Sequence, residues 1–252
     1  MRRSLLLALG VLGLGLMAAG AASAAQVTYC PQPPSTQYIG LVDAPGDLIV
    51  PPNTSCGPTE GSRIGHDVIV SEGASFFPGG TTIGHDVRAN GADLIELGDP
   101  NNGTSDMIVR HDVIITGTQG DLPFGQFVCQ TRIGHNLIIT DTAASVAQWY
   151  IGYQNPSNCG RNYGRGGDTI GGTGIFYNNA NTIYVGDNNA EFNGGTGLGF
   201  RRDLIFVQNR GAINQLSDNT VGYDCSQANN HPFLGFANTA GHSVDACNSS
   251  NP

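Results

Sequence analysis

The segment Ile64-Gly65-His66-Asp67-Val68-Ile69-Val70 does not occur once. It returns as Ile83-Gly84-His85-Asp86-Val87, as Val109-Arg110-His111-Asp112-Val113-Ile114-Ile115, and as Ile133-Gly134-His135-Asn136-Leu137-Ile138-Ile139. Weaker copies stand at Ile170-Gly171-Gly172, Phe200-Arg201-Arg202-Asp203-Leu204-Ile205-Phe206, Val221-Gly222-Tyr223-Asp224 and Ala240-Gly241-His242-Ser243-Val244. They begin at 64, 83, 109, 133, 170, 200, 221 and 240, so the steps are 19, 26, 24, 37, 30, 21 and 19 residues. The step of 37 reads as a loop, or as a degenerate copy within 140 to 169.

A short apolar strand bounded by Gly and Asp or Asn cannot bury its inner face alone. Stacking copies at a period near 20 pairs each strand with its neighbours and builds one continuous core. A leucine-rich horseshoe needs Leu at fixed offsets, and a propeller blade needs about 40 residues per repeat. The pattern predicts an all-β, parallel β-solenoid of eight or nine coils, stapled by disulfides. Ile64, Val68, Ile83, Val87, Val113, Ile133, Leu137, Leu204 and Val221 repeat in phase and should share the core.

Composition agrees. The 252 residues include 37 Gly and 13 Pro, all eleven basic residues are Arg, and only four of the 20 acids are Glu. Lys and Glu favour helices, whereas Gly, Asn and Asp favour turns.

The units Thr82-Ile83-Gly84-His85-Asp86-Val87 and Asn219-Thr220-Val221-Gly222-Tyr223-Asp224-Cys225 resemble the N-T-V-G-G-N-V-x-V coils of secreted actinobacterial β-solenoid proteins. Asp47-Leu48-Ile49-Val50-Pro51-Pro52-Asn53-Thr54-Ser55-Cys56 resembles the segment that opens their solenoid. The likeness covers roughly 45 to 247, with His replacing the usual second Gly and 140 to 200 departing most. It implies fold and export, and no chemistry.

Export is also written in the residues. Met1-Arg2-Arg3, an apolar run from Leu5 to Ala19 and the small residues Ala22-Ser23-Ala24 predict a signal peptide over 1–24, cut before Ala25. Residues 25–60 then form a lead-in and cap, and 61–252 the solenoid, irregular and rich in Gly and aromatics over 140–199. The mature chain carries nine Arg against 20 acids, a net charge of −11. Nucleic acid is excluded as a partner, and so is a membrane for the mature form. The expected setting is the extracellular space.

Six Cys in an exported chain predict three disulfides, although six allow 15 pairings. The gaps Cys30 to Cys56, Cys129 to Cys159 and Cys225 to Cys247 are 26, 30 and 22 residues, each close to one coil. Sequence neighbours should therefore pair, because adjacent coils bring equivalent Cα atoms within disulfide range.

His66, His85, His111 and His135 hold one repeat position in four successive copies, and His242 recurs in the last. In register they stack into a surface ladder, with Asp67, Asp86 and Asp112 following directly. Imidazole and carboxylate are metal ligands and pH sensors. A straight ladder is no tetrahedral cluster, so the favoured reading is an exposed corner in which Asp accepts turn geometry, with no metal and no cofactor. Repulsion along the stack would hold the imidazole pKa values below about 6.5, with the neighbouring Asp residues opposing.

No pair of carboxylates stands out for acid–base work, and the negative charge disfavours a polyanionic substrate, so no catalytic residue is assigned. The Gly171-Gly172-Thr173-Gly174 and Gly194-Gly195-Thr196-Gly197 segments read as turns. Trp149, Tyr150, Tyr153, Tyr163, Phe176, Tyr177, Tyr184 and Phe192 divide between core and exposed stacking surface. The expected function is a secreted non-catalytic structural or binding protein of the cell wall or extracellular space, with polysaccharide as partner. The alternative is a carbohydrate-active β-helix enzyme.

Overall fold

The computed structural model describes residues 26–31, 39–98, 107–120, 125–145, 148–152, 167–186 and 199–251. The predicted signal peptide, Tyr153, Cys159, Tyr163, Phe192 and the Gly194 to Gly197 segment lie outside the described residues.

Three parallel sheets run the length of the stack. Sheet A holds Asp43–Ala44, Arg63–Ile64, Thr82–Ile83, Met107–Val109, Thr131–Ile133 and Thr169–Ile170. Bridges through Phe200 carry it on to Thr220–Val221 and Thr239–Ala240. Sheet B holds nine strands, from Val27–Tyr29 and Asp47–Val50 through Val87–Asn90, Val113–Thr116, Leu137–Thr140 and Gly174–Tyr177 to Cys225–Ala228. Sheet C holds eight, from Ser55–Cys56 to Phe233–Phe236, and Ser250–Asn251 closes it antiparallel. One coil visits A, B and C in turn. The parallel β-solenoid is thus observed, with eight complete coils among the described residues.

The strands form because their side chains alternate. In Val113–Thr116 and Leu137–Thr140 the first and third residues are buried and the others half-exposed, the period-two pattern of a strand packed on one face. Register is set by that same alternation, since a slip of one residue would turn the apolar set outward. Leu48 pairs with Val68, Val68 with Val87, Val87 with Val113, and Val113 with Leu137. Ile64, Ile83, Val109, Ile133 and Ile170 do the same in sheet A. All nine residues predicted for the core belong to one buried cluster.

The pairing steps equal the repeat steps. Leu137 pairs directly with Gly174, so the step of 37 contains no hidden coil. Its extra residues fall between Gln148–Ile151 and Thr169–Ile170. The corner from sheet A to sheet B is three residues long in every coil from Ile64 to Cys225, while length varies only at the turns flanking sheet C. Stacking begins ahead of residue 61, because Asp43–Ala44, Asp47–Val50 and Ser55–Cys56 already make a coil.

Disulfides join Cys30 to Cys56 and Cys225 to Cys247, with Cα separations of 6.0 and 5.9 Å. The third predicted pair involves Cys159 and so falls outside the described residues. No helix among the described residues is long and apolar enough to cross a membrane.

Candidate ladder site at the corner between sheets A and B

The invariant corner places one side chain per coil directly above its equivalent. Gly84 shows why the corner can be so tight: a Cβ there would lie 2.1 Å from the Gly65 carbonyl oxygen of the coil before. Gly at 84 lets these two backbones meet.

The four predicted histidines do stack. Ring centroids are 4.8 Å apart for His66 and His85, with planes 1° from parallel, and 4.5 Å and 13° for His85 and His111. The last pair differs: His111 and His135 are 3.9 Å apart and tilted by 47°. His242 is not part of the ladder. It meets the ring of Tyr223 edge-on at 5.0 Å and lies 4.0 Å from Asp224.

Sequence adjacency misassigns the partners. Three of the four imidazoles, those of His66, His85 and His111, bond the Asp of the preceding coil rather than the Asp that follows them in the chain. Nδ1–H of His66 donates to Asp47 Oδ1 at 2.6 Å, that of His85 to Asp67 Oδ1 at 2.6 Å, and that of His111 to Asp86 Oδ1 at 2.9 Å. The carboxylate can only accept, which fixes the proton on Nδ1. The Asp next in sequence stands farther off, at 3.8, 3.6 and 3.5 Å.

The same oxygens also accept backbone N–H groups of the next coil, from Asp67, Asp86 and Asp112 at 3.1, 3.1 and 3.0 Å. The acids therefore form a second, inner ladder. Asp67 and Asp86 are buried, whereas His66 is about half exposed. Asp47 heads this ladder and was missed in the sequence. Its signal was present, since Asp47 lies 20 residues before Asp67, one coil step.

Electrostatics follow from these contacts. Burial opposes ionisation of Asp86, yet Arg88, the Asp112 N–H and His111 together hold its carboxyl down at about 2. Arg88 reaches it through Nη2 at 2.6 Å. Asp47 is likewise lowered, burial being outweighed by His66 and the Asp67 N–H. His66 is raised, first by its bond to Asp47 and then by the charges of Asp67, Asp47 and Asp86, against the desolvation that lowers it. This reverses the direction expected from stacking, because carboxylates approach the ring more closely than the next imidazole does.

Two Asn ladders inside the solenoid were not anticipated. Asn179, Asn209 and Asn230 are buried; Asn209 Oδ1 accepts the N–H and Nδ2–H of Asn179, and Asn230 Oδ1 accepts those of Asn209. Asn219, Asn238 and Asn248 repeat the arrangement at another corner. The spacings 30, 21 and 19 between Asn179, Asn209, Asn230 and between Asn219 and Asn238 match the coil steps, a signal that could have found them.

The aromatic residues divide as expected where they are described. Trp149 and Phe176 are core, Tyr177 is exposed, and Tyr150 stacks on Tyr184 at 5.2 Å on the outward side of sheet C. Three groups could offer donors to a metal ion: His66, Asp67 and His85; His85, Asp86 and His111; His111, Asp112 and His135. No family model, curated protein or solved structure matches this chain.

Proposed function

We propose that this chain is an exported, non-catalytic structural or binding protein of the extracellular space or cell wall. One observation carries the reading. Three carboxylates of the corner are spent on holding one coil to the next: Asp47, Asp67 and Asp86 each bind an imidazole and a backbone N–H of the following coil. Groups so committed stiffen a rod rather than wait for a substrate.

Support for a binding role comes from the faces of that rod. Sheet B turns Ile49, Ile69, Ile114, Ile138, Ile175 and Ile205 outward in register, interrupted by Arg88. Equivalent side chains recur at the strand spacing of about 4.8 Å. A polymer that itself repeats, such as an extracellular polysaccharide, is the partner suited to such a surface. Disulfides near both ends suit an oxidising compartment, and the predicted leader supplies the route there.

The test has two parts. Expression of the full chain should yield a released protein beginning at Ala25, and that protein should co-sediment with insoluble cell-wall material or one member of a polysaccharide panel. Release of new sugar reducing ends from the panel would establish the carbohydrate-active alternative instead. Retention inside the cell with free thiols would sink the export reading.

A further inference from the structure

We infer that the lower end of the ladder, His111, Asp112 and His135, is a binding site for one divalent transition-metal cation of the zinc class. The inference goes beyond the structural and binding role, and stands on geometry of its own.

Donor atoms of all three residues lie within 4.8 Å of one another. The other two groups along the ladder meet that condition too, so what distinguishes this one is the relation of its rings. Nitrogen ligands sit 2.0–2.1 Å from zinc, so two on one tetrahedral ion are about 3.4 Å apart. His66 and His85 are parallel at 4.8 Å, and their lone pairs run side by side without meeting. His111 and His135 are at 3.9 Å with planes crossing at 47°, so the parallel stacking that keeps lone pairs apart is broken at this pair.

The surroundings prepare His111 and Asp112. Nδ1–H of His111 is committed to Asp86 Oδ1, so the free lone pair is on Nε2. A carboxylate behind the far ring nitrogen fixes the tautomer and raises the basicity of a metal-binding imidazole. At position 136 Asn takes the place that Asp holds in the preceding ladder coils, and it adds a side-chain donor to Asp112. Asn136 occupies Asp112 Oδ1 with both its N–H at 2.8 Å and its Nδ2–H at 3.0 Å. Both bonds fall on Oδ1, which leaves Asp112 Oδ2 as the third donor. Two imidazoles and one carboxylate suit zinc, nickel or copper, whereas magnesium and calcium prefer oxygen-only sets.

Calorimetric titration of the untagged, oxidised chain with ZnCl2 at pH 7.5 tests this, with MgCl2 as the comparison and melting temperature as a second readout. One zinc should bind per chain and raise the melting temperature, and MgCl2 should do neither. His135→Asn, at an exposed position, should keep the circular dichroism spectrum and weaken zinc binding at least tenfold, about 1.4 kcal/mol. His66→Asn should leave zinc affinity within twofold. No zinc binding, or undiminished binding by His135→Asn, overturns the site. Equal weakening by His66→Asn and His135→Asn also overturns it, since binding would then be spread along the ladder.

Discussion

His111 and Asp86 are 25 residues apart in the chain, yet Nδ1 of one lies 2.9 Å from Oδ1 of the other, in the preceding coil. The same carboxylate receives the Asp112 N–H at 3.0 Å and Arg88 Nη2 at 2.6 Å. A buried acid with this many donors is a rivet between coils, and its removal should be felt.

Asp86→Asn should destabilise the protein by about 2–3 kcal/mol, because a charge-assisted bond to Arg88 and one to His111 are lost together. The acid limb carries the same information. The folded carboxyl titrates at about 2 against an ordinary 3.8, so its contribution is complete above 3.8 and disappears as pH falls through about 2. That difference is worth about 2 kcal/mol. Denaturant melts of wild type and variant at pH 6 and pH 2 check it: the gap between them should shrink at the lower pH.

His66 titrates in the opposite sense. Its folded pKa is raised above 6.5 by Asp47, so the pair stabilises fully below 6.5 and loses its effect as pH climbs through the raised value. The contribution is small because the ring is about half exposed. A histidine proton titration by NMR should place His66 above 6.5, and Asp47→Asn should bring it down. A wild-type value at or below 6.5 would restore the mutual-repulsion account of the ladder.

Inside the solenoid, Asn209 accepts from Asn179 Nδ2 at 2.8 Å and donates to the Phe176 carbonyl at 3.0 Å. Asn209→Ala leaves buried donors and an acceptor unmatched, at a cost of about 2–4 kcal/mol. Asn209→Asp replaces the two Nδ2 donors with a buried carboxylate and should be worse at pH 7 than at pH 5, where the acid can be neutral. Melting both variants at the two pH values decides the matter; an Asn209→Asp protein as stable as wild type at pH 7 would refute the ladder's role.

Packing has one equally specific site. Gly174 stands where the coils above and below carry Leu137 and Leu204, and a Cβ on it would come within 2.4 Å of Phe200 Cε1. Phe200, fully buried, fills the space that a leucine would have taken. Gly174→Ala should cost about 1–3 kcal/mol through overpacking, and Phe200→Leu in the same chain should recover part of it. A double-mutant cycle with no coupling would contradict the contact.

The repeat steps of this chain determine its architecture without help from anything else. Strands such as Val113–Thr116 alternate buried and half-exposed, and only a stack with the read register buries them all. That is why Ile64, Ile83, Val109 and Ile133 pair as their spacing implies, and why the four histidines stand in one line. Local pattern and burial here obey the same period, so the one reveals the other. The partners of those histidines are a different matter. Asp67 is next to His66 in the chain, but the bend at the corner carries its carboxylate inward, to the N–H and imidazole of the following coil. The tilt of His135 against His111, and the Asn136 that occupies one oxygen of Asp112, depend equally on contacts between coils. Spacing along a chain determines which residues share a level. Which atoms of neighbouring levels meet is decided only when side chains 20 or more residues apart compete for the same few hydrogen-bonding positions, and that competition exists only in the folded stack.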